Sequence, residues 1–153
     1  MKALELKIPP PVYALSIALL MWLLNKHFPL AHFINSPWNK AGLGIIILAG
    51  VFDLWSLLLF FKKKTTFNPM KPETTTGLVV KGLYKVSRNP MYVGMLIMLF
   101  GFAFWLGSVT PFLVLPLFYF VITVMQIKPE ERFLLEKFGT EYQLYKDKVR
   151  RWL

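Results

Sequence analysis

The chain of 153 residues carries 18 Lys and Arg against 8 Asp and Glu, a formal net charge of +10. Yet 56% of it is hydrophobic, 16% is aromatic, and its mean hydropathy is +0.50. Such apolarity joined to a basic surplus excludes a disordered tail and does not fit an ordinary cytosolic enzyme. Lack of cysteine excludes disulfides, thiolate metal sites and a cysteine nucleophile, and only two histidines, His27 and His32, leave no basis for a His-rich metal centre.

The first uncharged apolar run is 12–24, behind Lys2, Lys7 and the prolines at 9–11. Two lysines before an apolar core resemble a secretory leader. No small-x-small cleavage site follows Leu24, so the segment is expected to persist as a helix over about 9–27. The second run, 42–61, has Asp53 as its one charge. Twenty helical residues reach about 30 Å, the thickness of the bilayer hydrocarbon. Residues 91–106 and 111–127 form the third and fourth runs, close to the lower limit for a span. Helices of a soluble bundle show a polar face recurring every third or fourth residue, and 43–51 and 112–124 show no such face. The pattern predicts one all-α integral-membrane helical bundle over 1–153. Its four transmembrane helices lie at about 9–27, 42–61, 91–107 and 110–127, the last two forming a hairpin.

All Lys and Arg fall between these runs: two in 1–11, two in 25–41, seven in 62–90 and seven in 128–153. Four spans put the first, third and fifth connecting segments on one side, with 16 of the 18 cations. The positive-inside rule makes that side cytoplasmic, with both termini, the loop 62–90 and the helical tail 128–153. The charge then needs no nucleic acid, and Lys62, Lys63 and Lys64 read as a stop-transfer flank. A multi-pass protein of a bacterial or archaeal inner membrane is the expected setting.

A purely structural protein needs neither so long a loop nor such a tail. In the loop, Asn89-Pro90 reads as N-cap and first turn of the third span. Tyr84, Arg88 and Tyr92 gather round that helix start, whose free amides and positive dipole end suit a carboxylate. In the tail, Pro129-Glu130-Glu131 reads as a new helix start, Gly139 as its end, and Thr140 to Gln143 as the start of another.

Two cytoplasmic motifs therefore stand on either side of a helical pair. They are Gly82-Leu83-Tyr84-x3-Arg88-Asn89-Pro90-Met91-Tyr92-x-Gly94 and Glu130-Glu131-x6-Phe138-Gly139-x2-Tyr142-x2-Tyr145-x3-Val149-x-Arg151. Together they resemble the integral-membrane methyltransferases, which include isoprenylcysteine carboxyl methyltransferases and phospholipid N-methyltransferases. The resemblance covers about residues 74–152. It implies S-adenosylmethionine as cofactor and a lipid or lipophilic small molecule as methyl acceptor. It places Thr76, Gly77, Leu78 and Val79 along the cofactor, then Tyr84, Asn89, Pro90, Met91 and Tyr92, with Glu130 closing the site and Glu131 beside it. Arg88, Asn89 and Glu130 are the residues it implies at the reacting centre; no metal is implied.

The chain departs from the family pattern twice. Asn89 stands where many members have histidine. Gln126 stands where the carboxyl methyltransferases have an arginine that holds the substrate carboxylate, so the acceptor side is left open, with Gln126 and Asp53 as candidate substrate contacts. Asp53 is expected near the middle of the second span, facing the bundle interior, with Ser56 and Asn25 as candidate partners. It also carries the alternative reading, a small four-helix proton-coupled multidrug transporter. Oligomeric state is not encoded in any pattern here.

Overall fold

The computed structural model describes residues 5–62 and 77–153. Among them the fold is all-helical: α1 (Pro10–His27), α2 (Ala41–Lys62), α3 (Pro90–Leu106), α4 (Val109–Ile122) and α5 (Lys128–Lys148). A π-helical turn, Thr123–Ile127, joins α4 to α5, so the last two run on as one rod.

Local chemistry sets the ends. Pro10 and Pro11 occupy the first turn of α1, where a missing N–H costs nothing, and Lys26 and His27 lie at its negative end. Gly107 ends α3 at φ +80°, its amide reaching the Ala103 carbonyl at 3.1 Å. A Cβ there would stand 2.4 Å from the Ile34 carbonyl oxygen, so the position takes only glycine. That close approach belongs to a polar knot that pins segment 28–37 onto the α3–α4 turn. The Phe33 and Ile34 amides donate to the Gly107 carbonyl, the Val109 amide donates to Ala31, and Thr110 Oγ1 donates to the Phe28 carbonyl.

The rod departs from expectation at its centre. α5 begins at Lys128 with Pro129 in its first turn, as expected, but without a break from α4, because the Lys128 amide donates five residues back to Thr123. A π turn widens the ladder where the proline has no donor to give, so the helix continues instead of breaking. Gly139 does interrupt it, at φ +50° and ψ −121°.

The core joins Ile17 and Met21 of α1, Tyr92, Met95, Leu99 and Ala103 of α3, and Val114, Phe118 and Ile122 of α4. α2 stands outside that cluster and rests on α3 through small residues. Its buried positions are Gly42, Ala49 and Ser56, seven apart, and they face the α3 side that carries Gly94 and Gly101. A Cβ on Gly42 would lie 2.4 Å from the Gly101 carbonyl oxygen and 2.6 Å from the Trp105 nitrogen. Backbones this close gain their contact from van der Waals packing, which is how helices associate where no water drives them together.

Outward-facing positions are apolar. Leu15, Ile47, Leu48, Leu54, Leu113 and Phe120 are all exposed, Leu48 at 72%. Such a girdle suits lipid rather than water. Two helical stretches among the described residues, Trp38–Leu58 and Val109–Lys148, are long and apolar enough to cross a membrane; α3 is apolar but has 17 residues. Of the four expected spans, two therefore meet the length and hydropathy of a crossing.

The α2–α3 seam gives a first prediction. Gly42→Val meets backbone that cannot rotate away, whereas Gly44→Ala points into open space. Thermal unfolding in detergent is expected to show a loss of about 1–3 kcal/mol for Gly42→Val and little change for Gly44→Ala.

Candidate active site

The site forms where three segments meet: the stretch leading into α3, the start of α5, and the C-terminal strap after it. A short 3₁₀ turn, Gly82–Lys85, buries Tyr84, whose carbonyl accepts a hydrogen bond from Tyr145 Oη of α5 at 2.7 Å. Beyond the turn, Ser87 and Arg150 pair as an isolated bridge, and the Arg88 amide donates to the Arg150 carbonyl at 3.0 Å. The Arg151 carbonyl accepts from Asn89 Nδ2 at 2.9 Å. Trp152 stacks on Tyr119 with centroids 4.7 Å apart, and its indole N–H reaches Thr123 Oγ1 at 3.2 Å. The strap thus closes over the entrance to α3.

Asn89 does not cap α3. It stands at the N-cap position without a side-chain cap bond, because its amide is committed to the strap. The amides of Tyr92 and Val93 turn back to the Asn89 carbonyl, at 3.0 and 3.1 Å. Fewer α3 amides therefore remain for an anion than the sequence suggests.

The adjacent glutamates have opposite surroundings. Glu131 is held by two arginines: Arg88 Nη2 lies 3.1 Å from Oε1, and Arg151 grips both oxygens, Nε on Oε1 at 2.9 Å and Nη2 on Oε2 at 2.7 Å. The bidentate fork raises the Arg151 pKa further. Glu130 has no cation among the described residues; its bond is from the buried Tyr92 Oη, at 2.6 Å. Glu130 as a residue is half-buried. Burial pushes its pKa up to about 8; the Tyr92 bond pulls against this, and the Glu131 charge adds to it. Burial likewise pushes the phenols of Tyr84, Tyr142 and Tyr145 up. At neutral pH these are uncharged aromatic faces.

Arg88 completes the picture. Its side chain is 8% exposed, and although Nη2 binds Glu131, Nε and Nη1 are buried without partners. A site with one buried carboxyl lacking a cation and one buried guanidinium with spare donors is incomplete by itself. It fits a ligand carrying both an ammonium and a carboxylate.

The other sequence candidates are distributed as follows. Leu78 and Val79 are buried and Gly77 half-buried, while Thr76 lies outside the described residues. Pro90 is buried at the first turn of α3. Met91 lines a groove between α2 and α3. Gln126 is fully buried in the π turn, donating to the Ile8 carbonyl, with its Oε1 unpartnered. Asp53 meets neither expected partner: Ser56 donates to the Phe52 carbonyl, and Asn25 accepts from Ser108. It packs instead on Gly94, one turn from the start of α3, so it lies closer to the Tyr92–Glu130 pair than to the far end of the bundle. The sequence assigned no role to Ser87, Arg151 or Trp152, although Arg151 stands in the second motif; its spacing of 20 residues from Glu131 carries no local signal.

Comparison with known proteins agrees with this geometry. An uncharacterized protein of Haemophilus influenzae is 46% identical over 63 residues, 41% of this chain and 100% of that protein. A protein-S-isoprenylcysteine O-methyltransferase of Schizosaccharomyces pombe is 28% identical over 120 residues, 78% of this chain. The aligned region spans about half, 51%, of that enzyme's length. No solved structure matches. The family profile described as phospholipid methyltransferase matches residues 38–141, which takes in α2, α3, α4, the π turn and the α5 segment bearing both glutamates. The chain belongs to the phospholipid methyltransferase family.

Proposed function

We propose that the chain is an S-adenosylmethionine-dependent methyltransferase acting at the cytoplasmic membrane face on a lipophilic acceptor, such as an isoprenylcysteine-like carboxylate or a phospholipid amine. Family membership supports the methyltransferase class. The observation that carries the cofactor is the pair of unmet charges: Glu130 without a cation, and Arg88 with two buried donors unused. The amino-acid part of S-adenosylmethionine has the complementary ammonium and carboxylate. Its sulfonium and adenine suit the faces of Tyr84, Tyr142 and Tyr145. We read α1, α2, α3 and α4 with its π turn as four spans, both termini cytoplasmic, in a bacterial or archaeal inner membrane. The transporter alternative finds no support in the family match.

When bound, the cofactor supplies an electrophilic methyl group for in-line displacement. The chain's own work is then placement. Glu130, fixed by Tyr92, holds the ammonium; Arg88, fixed by Glu131, offers its spare N–H groups to the carboxylate. The strap and its Trp152 exclude water from the entrance. Alignment of this kind supplies most of the rate in a displacement that needs no nucleophilic side chain.

Three outcomes test this. Calorimetric titration of the detergent-purified protein with S-adenosylmethionine is expected to show binding that Glu130→Gln or Tyr92→Phe weakens about tenfold or more, the worth of a charge-assisted hydrogen bond. A folded wild type that binds nothing would sink the proposal. The two glutamates also separate by readout. Glu131→Gln leaves two arginines without their carboxylate and is expected to cost about 3 kcal/mol of stability, read by chemical unfolding, whereas Glu130→Gln loses ligand and keeps stability. Finally, Glu130 keeps its proton up to about pH 8, well above the ordinary carboxyl value of 4.5. A raised folded-state pKa stabilises the free protein fully below about 4.5, and that stabilisation is lost as pH rises through about 8. An ammonium needs the ionised form, so cofactor affinity is expected to climb with pH toward about 8 and to fall again where the ligand's own α-ammonium loses its proton. Glu130→Gln flattens the climb.

A further inference from the structure

The joint between α4 and α5 is held from outside by the segment that precedes α1. Within an α-helix the Met125 carbonyl would accept from residue 129, and Pro129 has no N–H to give. The Leu6 amide donates to that carbonyl instead, at 3.1 Å. One residue on, the Gln126 side chain donates from Nε2 to the Ile8 carbonyl. Beyond the proline, Arg132 pairs with Glu5. One short segment, 5–8, therefore bridges the π turn, with contacts at Met125 and Gln126 before Pro129 and at Arg132 after it. The Arg132 side chain is 56% exposed, and exposed ion pairs contribute little, so the Met125 and Gln126 bonds carry the attachment.

Leu6 takes φ +59°, a left-handed backbone that residues with a Cβ rarely adopt. Such a conformation persists only where its surroundings fix it, and the bonds at Met125 and Ile8 stand on either side of it. Pro9, Pro10 and Pro11 then lead into α1 with φ restricted, so the segment moves with the helix whose Ile17 and Met21 enter the core. Gln126 is fully buried and its Nε2 is committed to Ile8, so that donor is not free to meet a methyl acceptor. Just past the joint stand Glu130 and Glu131, whose partners Tyr92 and Arg88 lie at the start of α3 and in the approach to it. Any turn of α5 about its own axis would draw both carboxylates off those partners.

We propose that segment 5–8 and Gln126 form a clasp that locks the rotational setting of α5, which makes Gln126 a positioning residue for Glu130. The purpose of the clasp rests on the methyltransferase reading; its mechanics do not.

The chain has no cysteine, so Leu15→Cys on α1 and Glu136→Cys on α5, both at exposed positions, accept nitroxide labels without side reactions. Electron–electron double resonance on the full chain in detergent is expected to give one narrow distance distribution for this pair. Leu6→Pro removes the amide and forbids the left-handed turn, while Gln126→Leu removes the carboxamide. Each is expected to broaden the distribution by several ångström, since a side chain rides on a helix about 10–12 Å wide. Leu6→Gly keeps the amide and accepts the left-handed turn, and is expected to keep the narrow distribution. Leu6→Pro and Gln126→Leu are also expected to weaken S-adenosylmethionine binding about tenfold, because Glu130 is no longer seated on Tyr92. A distribution unchanged by Leu6→Pro, or broadened by Gln126→Leu alone, would overturn the proposal. So would a Gln126→Leu protein that binds the cofactor like the wild type and changes only the KM of the acceptor. A wild type that binds no cofactor while its distances still depend on Leu6 removes the methyltransferase reading and leaves the clasp.

Discussion

One carboxylate organises the site end of this helical bundle. Glu131 takes Arg88 from the approach to α3 and Arg151 from the C-terminal strap, and so ties together segments more than 60 residues apart. Burying three charged groups is costly, and their attraction repays it only with good geometry. Here the value is positional. The fork on Arg151 fixes the strap, the strap's carbonyls fix Arg88 and Asn89, and Arg88 is left with two buried N–H groups that have no partner among the described residues. Because Glu131 absorbs both arginines, its neighbour Glu130 meets no cation among the described residues. Neutralising one acid leaves the other available.

The membrane part rests on a different economy. Lipid offers helices no hydrophobic gain on meeting, so α2 depends on closeness. Gly42, Ala49 and Ser56 on one side, with Gly94 and Gly101 on the other, bring the backbones together without any large side chain between them. The same seam that holds α2 also fixes the depth of Asp53, since its register against Gly94 is set where Gly42 meets Gly101. Stability and site geometry share one set of glycines.

How much of this was readable beforehand follows the range of each interaction. The four helical runs were visible because apolarity is a property of a window, and the helices lie within a few residues of the predicted runs. Gly139 announced a break through backbone freedom alone. The two motifs flanking the helical pair brought Tyr92 and Glu130 to attention, but not the fact that they touch. What failed was non-local. Asn89 has the type and position of a cap, and a carbonyl from 62 residues away outcompetes the amides next to it. Glu131 looked equivalent to Glu130 until Arg151 was folded against it. Asp53 does lie near the middle of α2; what no local pattern showed is that it packs on Gly94, one turn into α3, and not on Ser56 or Asn25.

The π turn at Thr123–Ile127 does more than admit a proline. A helix advances about 100° per residue, so one additional residue in a turn resets the azimuth of everything that follows. Upstream, α4 shows Phe118 and Ile122 to the core and Leu113 and Phe120 to the outside; downstream, Glu130 and Glu131 must face Tyr92 and Arg88. The π turn sets the angle between these two orientations, so the rod is a shaft with a phase shift built in between its core-packing half and its glutamates.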